Sequence, residues 1–133
     1  MYLTSSIAPL QVVPQFKIRT NSLNKNNEKL FDAVKSQNPD FILVGGDMLV
    51  GKPEVSTKVA EDFVGQLTGI CPVYYANGNH EQRMKIYPEK FGTKYQEYKT
   101  SVEQSGVQFL ENEHIDLMFE KNFDMTWQAI ECQ

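Results

Sequence analysis

The sequence predicts an α/β fold on a mainly parallel sheet, ending in a β-hairpin, and three observations carry that reading. Phe41-Ile42-Leu43-Val44 is continuously apolar and closes on Gly45-Gly46, and Val73-Tyr74-Tyr75-Ala76 closes on Asn77-Gly78. Runs of this kind mark strands buried on both faces, which belong in parallel sheets. Stretches with apolar residues at helical spacing alternate with them, the pattern of strand-helix-strand crossover units. Two alternating segments near the end, separated by a polar tripeptide, supply the hairpin.

Taken in order, residues 1 to 24 mix short apolar pieces with Pro9 and Pro14, and one strand is expected near Phe16 to Thr20. Leu30, Phe31 and Val34 have helical spacing after Asn26 or Asn27, either of which is able to cap the helix by accepting its orphan amide hydrogens. Asn38-Pro39 ends that helix, because the residue before proline avoids helical dihedrals. After the first buried strand, Val59, Phe63 and Leu67 form one helical face, with Gly69 as C-terminal cap. A third helix carries the stripe Phe91, Tyr95, Tyr98 and Val102 and stops at Gly106. Such an aromatic stripe reads as core. A short strand follows over Val107 to Leu110, and then Ile115, Leu117, Phe119 and Phe123, Met125, Trp127, Ala129 alternate around Glu120-Lys121-Asn122.

With 133 residues, 41% of them hydrophobic, the chain suits one domain, or part of one. The net charge of -4 gives no support to a polyanion-binding surface, so no nucleic-acid partner is expected. No apolar run reaches the roughly 18 to 20 residues of a spanning helix, and the first residues lack a signal-peptide layout. A cytoplasmic protein without a membrane segment is expected. Cys71 and Cys132 are far apart and read as free thiols.

In parallel α/β sheets ligands bind off the carboxyl ends of the strands. Two segments leave those ends: Gly45-Gly46-Asp47-Met48 and Asn77-Gly78-Asn79-His80-Glu81. Each puts small residues ahead of donors: Asp47 is a hard oxygen ligand, Asn79 offers a carbonyl oxygen, and His80 binds metal or transfers protons near neutral pH. The plainer readings are an Asx turn at Gly-Asp and a hairpin turn at Asn77-Gly78. The hairpin fails, because Asn79 to Arg83 is uniformly polar and has no face to bury. A phosphate-binding loop is the other competitor, since Gly46, Gly51 and Lys52 satisfy G-x-x-x-x-G-K. Pro53 rejects it, replacing the magnesium-binding hydroxyl and lacking the amide hydrogen the phosphates need. Lys52 is then a solvated loop lysine.

The run Asn38 to Met48, followed by Cys71 to Glu81, resembles the calcineurin-like metallophosphoesterase family. The similarity rests on Gly-Asp and Gly-Asn-His-Glu, each after a buried strand and in this order. It extends from about Phe16 to the Val107 to Leu117 segment, which resembles the family's passage of helix, short strand and Leu-Glu-Asn. The resemblance implies that Asp47 bridges two metal ions, that Asn79 binds the second, and that His80 protonates the leaving alkoxide. Glu81 would support His80 or shape the loop. It also implies hydrolysis of a phosphomonoester or phosphodiester on a phosphorylated small-molecule or macromolecular substrate. The cofactors would be divalent manganese, iron or zinc ions, which activate a water for in-line attack.

Four departures from the family pattern shape the functional expectation. The positions matching its first motif, Asp-x-His, are Ser22 and Asn24. Val50 and Gly51 stand where a second acid follows Gly-Asp, and the later lone histidine and Gly-His-x-His have no counterpart. His114, the other histidine, reads as a surface or edge-strand residue. The expectation is a single, incomplete phosphoesterase domain over residues 1–133, inactive or weak by itself. The alternative is a non-catalytic binding or scaffold protein on the same fold.

Overall fold

The computed structural model describes residues 2–5, 8–12, 25–119 and 123–129. Two strands, β1 (Tyr2–Ser5) and β2 (Ala8–Val12), precede the helix α1 (Lys25–Ser36) and the strand β3 (Phe41–Val44). Then come α2 (Lys58–Leu67), β4 (Val73–Ala76), α3 (Asn79–Ile86), α4 (Pro88–Phe91), α5 (Lys94–Gln104) and β5 (Gln108–Leu110). A two-stranded hairpin of β6 (His114–Phe119) and β7 (Phe123–Gln128) forms a second sheet.

The main sheet has the order β2-β1-β3-β4-β5. Its β3, β4 and β5 are parallel, paired Ile42 with Val73, Val44 with Tyr75 and Ala76 with Leu110. The two remaining strands add antiparallel, with Leu3 opposite Ile42. The sheet is thus parallel where strands are joined through helices and antiparallel at its N-terminal edge. The strand expected near Phe16 to Thr20 lies outside the described residues; β1 and β2 are strands that the sequence reading did not assign.

All four residues of β3 are buried, which is why that run is apolar without alternation. Ile42, Val44, Val73, Tyr75 and Phe109 from the sheet pack with Phe63, Val64, Leu67, Tyr98 and Val102 from the helices in one core. Helix α1 starts at Lys25, so Asn26 and Asn27 lie inside its first turn and neither is the cap. The C-cap of α2 is Thr68, one residue before the expected Gly69. Thr68 does this work because its hydroxyl and its amide both donate to the Gly65 carbonyl. The single helix expected through Phe91 to Val102 is two. Gly92 sits at φ 58 between α4 and α5, a left-handed conformation no helix interior adopts, while the buried stripe continues across the break.

Candidate active site at the carboxyl edge of the sheet

The parallel register aligns the ends of β3, β4 and β5 at Val44, Ala76 and Leu110, so the loops beginning at Gly45, Asn77 and Glu111 emerge together. The first two touch backbone to backbone. A Cβ on Gly46, at φ 80, would lie 1.9 Å from the Gly78 nitrogen, and one on Gly78 would lie 2.4 Å from the Asp47 nitrogen. Only glycine permits that approach. Asp47 follows with a left-handed φ of 55, which aspartate tolerates better than most residues.

Glu81 ties the two loops into one unit. It is fully buried, and its carboxylate accepts from the amides of Asp47 at 2.9 Å, Met48 at 3.2 Å and Gly78 at 3.0 Å. The Tyr75 hydroxyl donates to it as well. That phenol hydrogen being committed, the 2.9 Å contact between Tyr75 and Tyr98 places Tyr98 as donor to Tyr75. Burial first, and then the neighbouring phenol and carboxylate, push the Tyr75 hydroxyl well above its ordinary range, so it remains a neutral donor. Burial raises Tyr98 in the same way. The Gly78 contact also starts α3: Gly78 is the N-cap and Glu81, three residues on, takes its amide hydrogen.

On this frame Asp47 and Asn79 are exposed and His80 is half-buried. Asp47 Oδ1 accepts the His80 amide at 3.0 Å, which brings the strand ends' carboxylate and imidazole residues side by side. The His80 ring is seated separately, its Nδ1 accepting the Gly51 amide hydrogen at 3.1 Å. A nitrogen that accepts carries no hydrogen, so the neutral ring holds its proton on Nε2.

A profile of the calcineurin-like phosphoesterases matches residues 22–128, most of the chain. The chain belongs to that family. Searches of curated proteins and of solved structures gave no match.

For a member of a family that uses divalent metals, the donor set is sparse. Among the described residues no three His, Cys, Asp or Glu side chains gather where one ion could be held. Asp47 keeps lone pairs free beyond its bond to the His80 amide, and Asn79, the residue before His80 and the first of α3, has a side-chain carbonyl oxygen. These donors fit one hard cation that keeps much of its water, and do not make a two-metal centre. Ser22 and Asn24 lie outside the described residues. His114 is exposed on β6, away from any such role, and Lys52 is an exposed loop residue.

The third strand end contributes a group the motifs did not single out chemically. Burial would by itself raise the Glu111 carboxyl. Hydrogen bonds from Lys99 at 2.8 Å, from the Tyr95 hydroxyl and from Lys85 at 3.2 Å outweigh it and hold the group at about 2. Asn77 Nδ2 donates to the Tyr95 hydroxyl at 2.8 Å and reaches Glu111 at 3.4 Å, linking this cluster to the β4 loop. The stripe of α5 is core as expected, yet its phenols also brace both loop carboxylates. Of the two roles open to Glu81, the contacts show loop shaping.

Proposed function

We propose that this chain is a metal-dependent phosphoesterase domain for a phosphomonoester or phosphodiester, turning over weakly or not at all by itself. In this reading Asp47 and Asn79 hold a divalent cation and His80 donates a proton to the leaving oxygen. The observation that carries it is the loop pair knitted by Glu81, which presents Asp47, Asn79 and His80 together off the parallel strands. A bound manganese, iron or zinc ion would supply Lewis-acid polarisation of a phosphoryl oxygen. The chain's own part is to anchor that cation and to turn the Nε2 hydrogen of His80 away from the Gly51 amide towards the leaving oxygen; full proton donation starts from the imidazolium, formed when Nδ1 takes up a proton and releases the Gly51 amide. Weak turnover follows from the donor set: several kcal/mol of charge stabilisation go with a second cation, and about 1.4 kcal/mol is tenfold in rate. General acid catalysis by His80, typically about 10² to 10⁴, does not make up that loss.

The sparse donors among the described residues also favour a second reading, a binding or scaffold protein without turnover. Calorimetric titration with manganese and hydrolysis of a chromogenic phosphomonoester and phosphodiester separate the two. Weak manganese binding abolished by Asp47→Ala, with slow hydrolysis lost in His80→Ala, is the expected result. Binding that Asp47→Ala leaves unchanged would place the cation elsewhere and overturn the site. Fast hydrolysis abolished by His80→Ala would uphold the residue roles and refute the weak-turnover clause.

A further inference from the structure

Lys94 is the first residue of α5, and its ammonium is turned away from the other charged groups onto main-chain oxygen. It donates to the carbonyls of Lys52 at 3.4 Å, of Pro53 at 2.7 Å and of Val55. An ammonium has three hydrogens, so this loop takes all of them. The loop is a run of tight turns, with the Lys52 amide on the Val50 carbonyl at 2.8 Å and the Val55 amide on the Lys52 carbonyl at 3.2 Å. One residue before Lys52 lies Gly51, buried, whose amide holds His80 Nδ1. There is no slack at that contact, because a Cβ on Gly51 would lie 2.5 Å from His80 Nδ1. The other end of the linkage is firm: α5 is anchored by buried Tyr95, Tyr98 and Val102.

We infer that Lys94 is a positioning residue that fixes the loop of residues 51–55 against α5 and, through the Gly51 amide, sets the ring orientation and tautomer of His80. The loop's own amides fix the Val50 and Lys52 carbonyls within the loop but do not tie it to the rest of the fold. Three charge-assisted bonds from one rigid helix terminus do, because such bonds are stronger than neutral ones and converge on a single point. A neutral imidazole in water exchanges between its two tautomers, whereas a single amide donor aimed at Nδ1 selects the form with hydrogen on Nε2. The catalytic significance of this clamp rests on His80 being the proton donor; the clamp itself does not.

Histidine-selective nitrogen NMR of the whole chain tests it, recorded at rising pH until the resonances of both rings stop changing. His80 is expected to show one nitrogen fully protonated, assigned to Nε2, and one bare. Exposed His114 provides the averaged reference within the same spectrum. In Lys94→Met the two His80 resonances should converge towards the His114 pattern, and the Gly51 amide should exchange with solvent about tenfold faster, the loss of one hydrogen bond. Lys94→Arg, which keeps a multiple donor, should restore the wild-type pattern. His80 resonances unchanged in Lys94→Met, or a wild-type His80 protonated on Nδ1, would overturn the inference. Should Lys94→Met fail to fold, Lys94→Gln reads the same resonances. Unfolding of both variants would assign Lys94 to general stability and overturn the clamp too. Because none of these readouts needs turnover, an inactive chain leaves the test intact.

Discussion

Glu81→Gln is the substitution that most directly probes how the two loops are held. It changes one carboxylate oxygen into an amide nitrogen carrying two hydrogens, at a site where every partner is a donor: three backbone amides and the Tyr75 hydroxyl. If nitrogen replaces Oε2, the amides of Asp47 and Gly78 both face hydrogens; if it replaces Oε1, only the Met48 amide does, because the Tyr75 hydroxyl can turn to accept from the new amide and donate to Tyr98. The second orientation is therefore the one adopted. Hydrogen bonds to charged groups contribute about 1.5 to 3 kcal/mol each and neutral ones less, so losing one and reducing the others to neutral strength should cost about 2 to 4 kcal/mol. With total stabilities of about 5 to 15 kcal/mol, that is a large fraction. Thermal unfolding should fall by about 6 to 20 °C, at roughly 3 to 5 °C per kcal/mol for a domain of this size. Urea unfolding followed by circular dichroism gives the free energy, and amide exchange at Asp47, Met48 and Gly78 locates it. A loss below about 1 kcal/mol, with those three amides still protected, would refute the reasoning, since the carboxylate would then not be what joins the loops.

The glycine contact and the Glu111 cluster give two more outcomes. Gly46→Ala should destabilise by more than about 2 kcal/mol, because its Cβ meets Gly78 backbone at 1.9 Å as well as an unfavourable φ of 80. Gly92→Ala, in open space, meets only its own backbone conformation of φ 58 and ψ -131, worth about 1 to 3 kcal/mol, and should cost less than Gly46→Ala; equal losses in a urea titration would show that the loop contact is not tight. For Glu111 the folded value is held below the unfolded one, at about 2 against 4.5. Its stabilisation is therefore complete above the unfolded value and lost as pH falls from about 4.5 towards 2. The stability difference between wild type and Glu111→Gln, measured by thermal unfolding, should be constant near neutral pH and shrink across that window; a difference independent of pH would contradict the ion-pair account.

How much of this was legible in the sequence follows from what each residue buries. Phe41 to Val44 reads as a buried strand because all four side chains are in the core, and the α2 stripe reads as a helix because Phe63 and Leu67 share its buried face. Helix α3 was illegible as a helix: only Glu81 and Met84 of its eight residues are buried, so no apolar stripe exists. The signal that could have found it is the three-residue spacing from Gly78 to Glu81, a capping-box spacing, masked because a glutamate is normally read as solvated. The antiparallel edge at β1 was hidden by its brevity, four residues of mixed polarity. That the Asp47 and His80 segments meet was legible because glycines mark close backbone approach. Gly51 and Lys94 were not, because a loop carbonyl leaves no trace in side-chain patterns.

The cost structure of the strand-end loops also bears on whether they are mere scaffold. Asp47 holds a left-handed φ of 55, a conformation that costs about 1 to 2 kcal/mol outside glycine. Glu81 is fully buried, and removing a carboxylate from water costs several kcal/mol even after relaxation. An apolar residue in its place would leave the amides of Asp47, Met48 and Gly78 without an acceptor, so the buried carboxylate is the counterpart of two loops brought together at this point. What the costly arrangement secures is specific: the backbone at Asp47 is fixed relative to Gly78, and His80 follows within the same turn of α3, its amide on Asp47 Oδ1. Strain and buried charge concentrate where side-chain geometry has to be held, and in this chain they meet at the residues that face the carboxyl edge. A binding protein on the same fold would need these residues held as firmly as an enzyme would, so the loop pair is the feature on which manganese titration and hydrolysis assays of Asp47→Ala and His80→Ala should be judged together.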